Sequence, residues 1–350
     1  MCTRCKEMAT MAGQYNIVDL FAGVGGLSMG FEDNGFVTVI ANDFDENAAN
    51  TFKLNHPHVK FIDGDVAKIG KNKISELLGD TQIDVMMGGI PCQSFSMAGR
   101  RIRKGIDHSD DPRHFMYKEY FRLLEMMKPK IAIIENVKGI LSSHKGEIMR
   151  EIVISFENHG YKADFKLLNA SEYGVPQVRE RVVVIANRIA SKNIFPKKHL
   201  DKIPVSVALE GIPENAKNHE KRYLTGKTLE RVKLIKPGQN WTYLPAELQT
   251  KSIHSGAYGR INPTKPSKTI TTRFDTPSVG YVTHPTENRT LTVREGARIQ
   301  TFPDDFVFTG PRMQQYKQVG NAVPVKLSYE ISIGIKKMLD GFYGNQSKTD

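Results

Sequence analysis

The sequence predicts an α/β protein, a doubly wound and mostly parallel sheet with a second, smaller and irregular domain. Three observations carry this reading. Short apolar runs rich in Val and Ile alternate with stretches of helical period through the first half of the chain. A glycine-rich turn follows the first run and aspartates end the next two, at the strand ends that line the ligand crevice of such a sheet. After Arg188 the texture changes to lysines and prolines, and the stretch to about Thr250 has no clean period.

The elements follow in order. Tyr15–Leu20 is a first strand, and the turn Gly23–Gly26 opens a helix that stops at Asn34-Gly35, because glycine just past the last turn ends a helix well. Phe36–Ala41, Val59–Ile62, Ile83–Met87 and Ile131–Ile134 read as the second to fifth strands. Between the last two, Tyr117–Met127 carries apolar residues at helical spacing and is stopped by Pro129. Arg181–Ala186 is a later buried strand, and Val325–Leu339 is an amphipathic helix near the end.

Composition narrows the class. The chain has 350 residues, enough for one large domain or two unequal ones. Apolar residues at 39% and charged residues at 25% exclude global disorder. No run approaches the length of uninterrupted apolar sequence that a membrane span needs, and the start lacks the apolar segment of a secretory signal. Three cysteines cannot staple a fold of this size, so the expected compartment is a reducing cytoplasm. The net charge of +11 points to a polyanionic partner, nucleic acid before acidic membrane. Cys2 and Cys5 make half a zinc site at most, and no metal is expected.

The first motif is Asp19-Leu20-Phe21-Ala22-Gly23-Val24-Gly25-Gly26-Leu27, a strand running through a glycine turn into a helix. Such a turn lets the backbone approach a ligand, and the helix start offers free N–H groups. Ser28 stands where the dinucleotide fingerprint needs its third glycine, which counts against NAD and leaves a mononucleotide-like cofactor. Asp43 ends the second strand about 20 residues on, where an acid reaches ribose hydroxyls. Phe44 can lie against an adenine face, and Asp65 ends the third strand. The loop Gly88-Gly89-Ile90-Pro91-Cys92-Gln93-Ser94 places Cys92 at the same crevice, as a candidate nucleophile or a small buried apolar residue. Glu135-Asn136-Val137 ends the fifth strand beside it, and a carboxyl aimed into an apolar crevice can hold its proton and act as an acid. Arg179 and Arg181 open another strand, and their alternation puts both on one face.

In combination these motifs resemble the cytosine-5 DNA methyltransferase family of bacterial restriction–modification systems. The resemblance rests on DLFAGVGGL, GGIPCQSFS, ENV, QVRER, LTVREGARIQTFPDDF and QVGNAVP, in the family's order from Tyr15 to Pro324. It implies S-adenosylmethionine as methyl donor and double-stranded DNA as substrate. Cys92 matches the nucleophile that adds to carbon 6 of cytosine, Glu135 the contact to ring nitrogen 3 and the amine, and Arg181 the contact to oxygen 2, with Arg179 in the same pocket. Phe21, Gly23 and Gly25 match methionine and adenosine contacts, Asp43 the ribose acid, Phe44 the adenine stack and Asp65 the adenine amine acceptor, with Val66 beside it. Pro91 lies between cofactor and base, and Asn321 returns to the cofactor site. The target base must leave the duplex to be reached. The basic loop Gly99-Arg100-Arg101-Ile102-Arg103-Lys104-Gly105 suits phosphates, as does Arg113.

The resemblance also implies a domain plan. A flexible tail spans 1–12, a catalytic, cofactor-binding domain 13–188, a small target-recognition domain 189–310 with its variable reader at about 189–252, and 311–350 returns to the catalytic domain. It implies a monomer paired functionally with a restriction endonuclease. Two other readings stay open at this point, a cytosine-5 methyltransferase of structured RNA and a DNA-binding regulator with idle chemistry.

Overall fold

The computed structural model describes residues 15–91, 116–250 and 254–346. Cys92, the basic loop with Arg113, and Cys2 and Cys5 fall outside the described residues. Seven strands form one sheet, β1 (Tyr15–Leu20), β2 (Phe36–Asp43), β3 (Lys60–Asp63), β4 (Val85–Gly89), β5 (Ile131–Val137), β6 (Lys162–Asn169) and β7 (Glu180–Asn187). The order is β3-β2-β1-β4-β5-β7-β6, and β7 alone runs against its neighbours. The chain reverses between β1 and β4, which is where a doubly wound sheet opens its ligand crevice.

The predicted strands are present, with ends shifted by a few residues. The second and fifth extend through Asp43 and Val137, beyond their apolar runs, because backbone pairing continues where the side chains turn polar. Ile83 and Asp84 fall outside β4. The strand β6 was not foreseen: it is an edge strand with most side chains exposed, so its sequence KADFKLLN has no apolar face to announce it.

Alternation along the central strands feeds two buried layers. Val18, Met86, Ala132, Ile134 and Val184 face the helices α4 (Met116–Met127) and α5 (Glu147–Asn158), where Leu123, Leu124 and Phe156 are buried. Tyr120 is also buried there, and its hydroxyl donates to the carbonyls of Met86 and Ile133. Ile17, Val85, Met87, Ile133, Val183 and Ile185 face the other way, against α1 (Gly26–Glu32) and the long α10 (Val325–Gln346). The helix α10 thus continues beyond its predicted span and closes the chain onto its first strand. Two glycines permit the approach: a Cβ on Gly26 would stand 2.4 Å from the Val323 carbonyl oxygen, and one on Gly30 2.4 Å from that of Val325.

Three more helices cover the sheet's ligand end and its first edge, α2 (Glu46–Asn55), α3 (Lys71–Leu78) and α9 (Arg312–Asn321). Residues 189–310 carry little regular structure: α6 (Ser206–Leu209), α7 (Gly226–Leu234), a ladder of β8 (Gly259–Arg260) with β9 (Tyr281–Thr283), and α8 (Val293–Ile299). Buried arginines tie this part together. Arg260 donates to the carbonyls of Val232, Ile235, His284 and Glu287, and Arg294 to those of Lys217, Pro303 and Phe306. The TVRE motif is a helix start: Thr292 caps α8 in a reciprocal box with Glu295, which also takes both ends of the Arg289 guanidinium. Leu291, Phe302, Phe306 and Phe308 pack in one core with Val24, Met29 and Ala48 of the sheet-bearing half.

Candidate active site

A cavity of about 750 Å³ opens at the carboxyl ends of β1, β2, β4 and β5, with α9 as its far wall. Phe21, Gly23, Asp43, Phe44, Pro91, Glu135, Arg181 and Asn321 all line it. The structure therefore brings together residues predicted from six separate stretches of sequence.

The glycine turn is shaped by backbone geometry. Phe21, Gly23 and Gly25 all have positive φ, at 56°, 57° and 89°. A left-handed Phe is uncommon and strained, and here it sits in the cavity wall. The turn is tied to the next strand, where Ala22 N–H donates to the Asn42 carbonyl at 2.9 Å and Gly23 N–H donates to Asp43 Oδ2 at 2.7 Å. Asp45 N–H donates to the other Asp43 oxygen at 2.8 Å. Burial raises the pKa of Asp43 in spite of these bonds. Phe44 beside it is 68% exposed, an aromatic ring bare at the cavity rim. Gly25 is not in the wall; it supports the turn from below, where a Cβ would stand 2.5 Å from His56 Nε2.

On the other side, Glu135 and Arg181 meet diagonally across the β5–β7 ladder, with Val137 opposite Arg181. Arg181 Nε lies 2.9 Å from Glu135 Oε1, and the two groups form an ion pair. Glu135 thus stands against a guanidinium rather than in the apolar crevice that the sequence reading expected. Burial lowers the pKa of Arg181, and Glu135 opposes that shift. Asn136 Nδ2 donates to the Ile90 carbonyl at 3.2 Å, which ties the end of β5 to the residue preceding Pro91.

Arg179 does not line the cavity with Arg181, although the two guanidiniums are close enough to repel each other. Arg179 precedes β7, is fully buried, and donates to the carbonyls of Ile270, Gly320 and Ala322 at 3.2, 2.9 and 2.9 Å. It therefore grips the backbone on both sides of Asn321. Gln300 holds the Val319 and Ala322 carbonyls from the same side, and Gln177 donates to Gln300. Asp65 and Val66 also lie outside the wall. Asp65 is exposed and caps a short turn by accepting from Ala67 N–H, and Val66 is buried in the sheet core.

The wall holds residues that the sequence reading had not singled out. Asp19 is fully buried, accepts from Ser28 Oγ at 2.6 Å, and leaves Oδ1 without a partner. Burial pushes its pKa up to about 7. A buried carboxylate oxygen in a nucleotide-sized cavity suits a cationic group. Its signal was its place as the first residue of the glycine motif. Asp45, Arg273 and Lys317 also line the cavity, and nothing local in the sequence brings the three together. Among the described residues no cluster of His, Cys, Asp or Glu is arranged to hold a metal, and no helix is long and apolar enough to cross a membrane.

The profile of the C-5 cytosine-specific DNA methylase family matches residues 15–337. The chain is 36% identical to the type II methyltransferase M.NgoFVII of Neisseria gonorrhoeae, over 99% of this chain and 92% of that one. It is 35% identical to M1.HphI of Haemophilus parahaemolyticus, over 92% and 86%. Among solved structures, a prophage-encoded E. coli protein described as a DNA modification methyltransferase superposes with a TM-score of 0.70 at 26% identity, covering 93% of this chain and all of that one. A DNMT2 of Spodoptera frugiperda shares the fold with a TM-score of 0.67 at 19% identity, over 92% and 100%. The family and its fold imply S-adenosylmethionine as the methyl donor. The chain belongs to the C-5 cytosine-specific DNA methylases and is a DNA cytosine-5 methyltransferase of the type II restriction–modification kind.

Proposed function

We propose that the enzyme methylates carbon 5 of a cytosine flipped out of a specific duplex site, through a covalent adduct to Cys92. The observation that carries the reading is the Glu135–Arg181 pair, set in one cavity with Asp43 and Asn321 and beside the loop that enters Pro91-Cys92. S-adenosylmethionine, when bound, supplies an electrophilic methyl group. Cys92 Sγ adds to carbon 6 as the thiolate, and the electron pair of the 5,6 double bond forms the new bond from carbon 5 to the methyl carbon while the methyl–sulfonium bond breaks and its electron pair stays on sulfur, leaving the neutral thioether. The carbon 5 proton then leaves to a base, the double bond re-forms, and the Sγ–carbon 6 bond breaks to return the thiolate. A free thiol with a pKa of about 8.5 is mostly protonated at neutral pH, so the ring must be activated as an electrophile. Glu135 does this with its carboxyl group, one oxygen donating a proton to ring nitrogen 3 and the other accepting from the amine, and Arg181 steadies that group while reaching oxygen 2. Asp43 takes the ribose hydroxyls and Phe44 covers the adenine. Arg179 acts on the site through Asn321 rather than by touching the base.

The duplex reader is assigned to about 189–252 within a small domain over 189–310, and a cognate endonuclease is the functional partner of a monomeric enzyme. The test is a duplex carrying 5-fluorocytosine at the target: fluorine cannot leave as a cation, so the adduct accumulates. A gel-stable complex that needs S-adenosylmethionine and is lost in Cys92→Ser supports the mechanism. Free turnover of that duplex, or substantial methylation by Cys92→Ser, overturns it.

A further inference from the structure

Asp45 and Lys317 lie 272 residues apart, and Lys317 Nζ stands 2.6 Å from Asp45 Oδ2. Both line the cavity, and their side chains are 21% and 42% exposed, so the pair sits at the rim and not in the floor. We infer that this ion pair is a latch across the cofactor cavity, and that Lys317 is a positioning residue that sets how long the cofactor stays bound. The inference rests on the cavity being the S-adenosylmethionine site.

The surrounding bonds explain why this pair would open while the contacts behind it stay closed. The helices α2 and α9 are already joined behind it by buried contacts. Gln318 Nε2 donates to the Asn47 carbonyl at 3.0 Å, and Thr51 Oγ1 donates to Gln318 Oε1 at 3.0 Å. Those bonds are shielded from solvent and serve as the fixed side. The outer tie, half-buried at Asp45 and exposed at Lys317, is reached by solvent and weakened by salt, so it breaks more readily than the inner bonds.

Both ends of the latch connect to cofactor groups. Lys317 stands one helical turn before Asn321 on α9, and spacing by four puts both on the cavity side. Asp45 donates its N–H to Asp43 Oδ1, so pulling on the Asp45 side chain moves the bond that orients the ribose acid. The Asp45 carboxylate also divides its work: Oδ1 accepts from Asn47 N–H and Ala48 N–H as the cap of α2, and Oδ2 takes the lysine. Phe44, bare between Asp43 and Asp45, is the apolar surface that a ligand under the latch would cover.

The experiment uses the full-length enzyme loaded with tritiated S-adenosylmethionine and chased with excess unlabelled cofactor. Lys317→Met should speed dissociation by about two- to five-fold, the range expected for loss of a pair that solvent reaches. Asp45→Asn keeps the cap oxygen, removes the charge, and should speed it equally. The double variant should be no faster than either single, Lys317→Arg should stay close to the parent, and added salt should speed the parent but neither single variant. Unchanged dissociation in the single variants overturns the latch. So do single effects that multiply in the double variant, because they would mean that Lys317 acts on the cofactor without Asp45. A parent enzyme that binds no S-adenosylmethionine refutes the site assignment instead.

Discussion

Replacing Arg179 with Met keeps the bulk and removes the charge from a side chain that is 1% exposed. Three backbone carbonyls, of Ile270, Gly320 and Ala322, lose this donor at once, and Ala322 keeps the bond from Gln300. Hydrogen bonds to a charged group contribute about 1.5–3 kcal/mol each, but two of these share one nitrogen and do not add fully. Against the loss stands relief from burying a cation whose pKa burial holds well below its ordinary value, with Arg181 adding repulsion. The balance is a loss of about 3 kcal/mol. With an unfolding entropy of roughly 2.1 cal/mol/K per residue, this lowers the melting midpoint by about 4 °C. The Gly320 carbonyl is released and Ala322 is held by Gln300 alone, so the backbone around Asn321 loosens and the affinity for S-adenosylmethionine should fall as well. Calorimetry and equilibrium dialysis on Arg179→Met read the two effects. A midpoint within 1 °C of the parent, or a destabilised variant that binds cofactor as tightly as before, would refute the argument that Arg179 serves the site through Asn321.

Three further outcomes are expected. Asp19 holds a pKa of about 7 when folded against about 3.8 unfolded, so the native state binds its proton more tightly. Cofactor-free stability should then be fullest below pH 4 for this group and fall as pH rises toward 7, and Asp19→Asn should flatten that slope in urea titrations at several pH values. Gly30→Ala gains about 1 kcal/mol of helix propensity but drives a Cβ to 2.4 Å from the backbone of α10. Overpacking against backbone costs about 1–3 kcal/mol, so a net loss of stability is expected, and a stabilised variant would show that the helices slide apart freely. Exchanging residues 189–252 for those of a relative should change the methylated sequence and keep the cytosine-5 product; a hybrid that still modifies the original site places the reader elsewhere.

Local features of the sequence determined the sheet and the positions of its strand ends. Runs such as IVDL and RVVVIA are buried on both faces, and burial of that kind leaves its pattern in consecutive residues. Strand ends carry the chemistry of this fold, so the sequence alone places DLFAGVGG, Asp43 and Glu135 at a crevice. The edge strand β6 escaped because an exposed strand needs no apolar face. The position of Asp65 past a strand end is shared by ligand contacts and by turn caps, and its bond from Ala67 could not be read from the sequence. Arg179 and Arg181 look equivalent in R-x-R, yet one clamps carbonyls from 91 and 141 residues away and the other meets Glu135. The pairing of Asp45 with Lys317 belongs to the same class. A side chain's partner across hundreds of residues is chosen by how helices dock, and the local sequence holds no record of that choice.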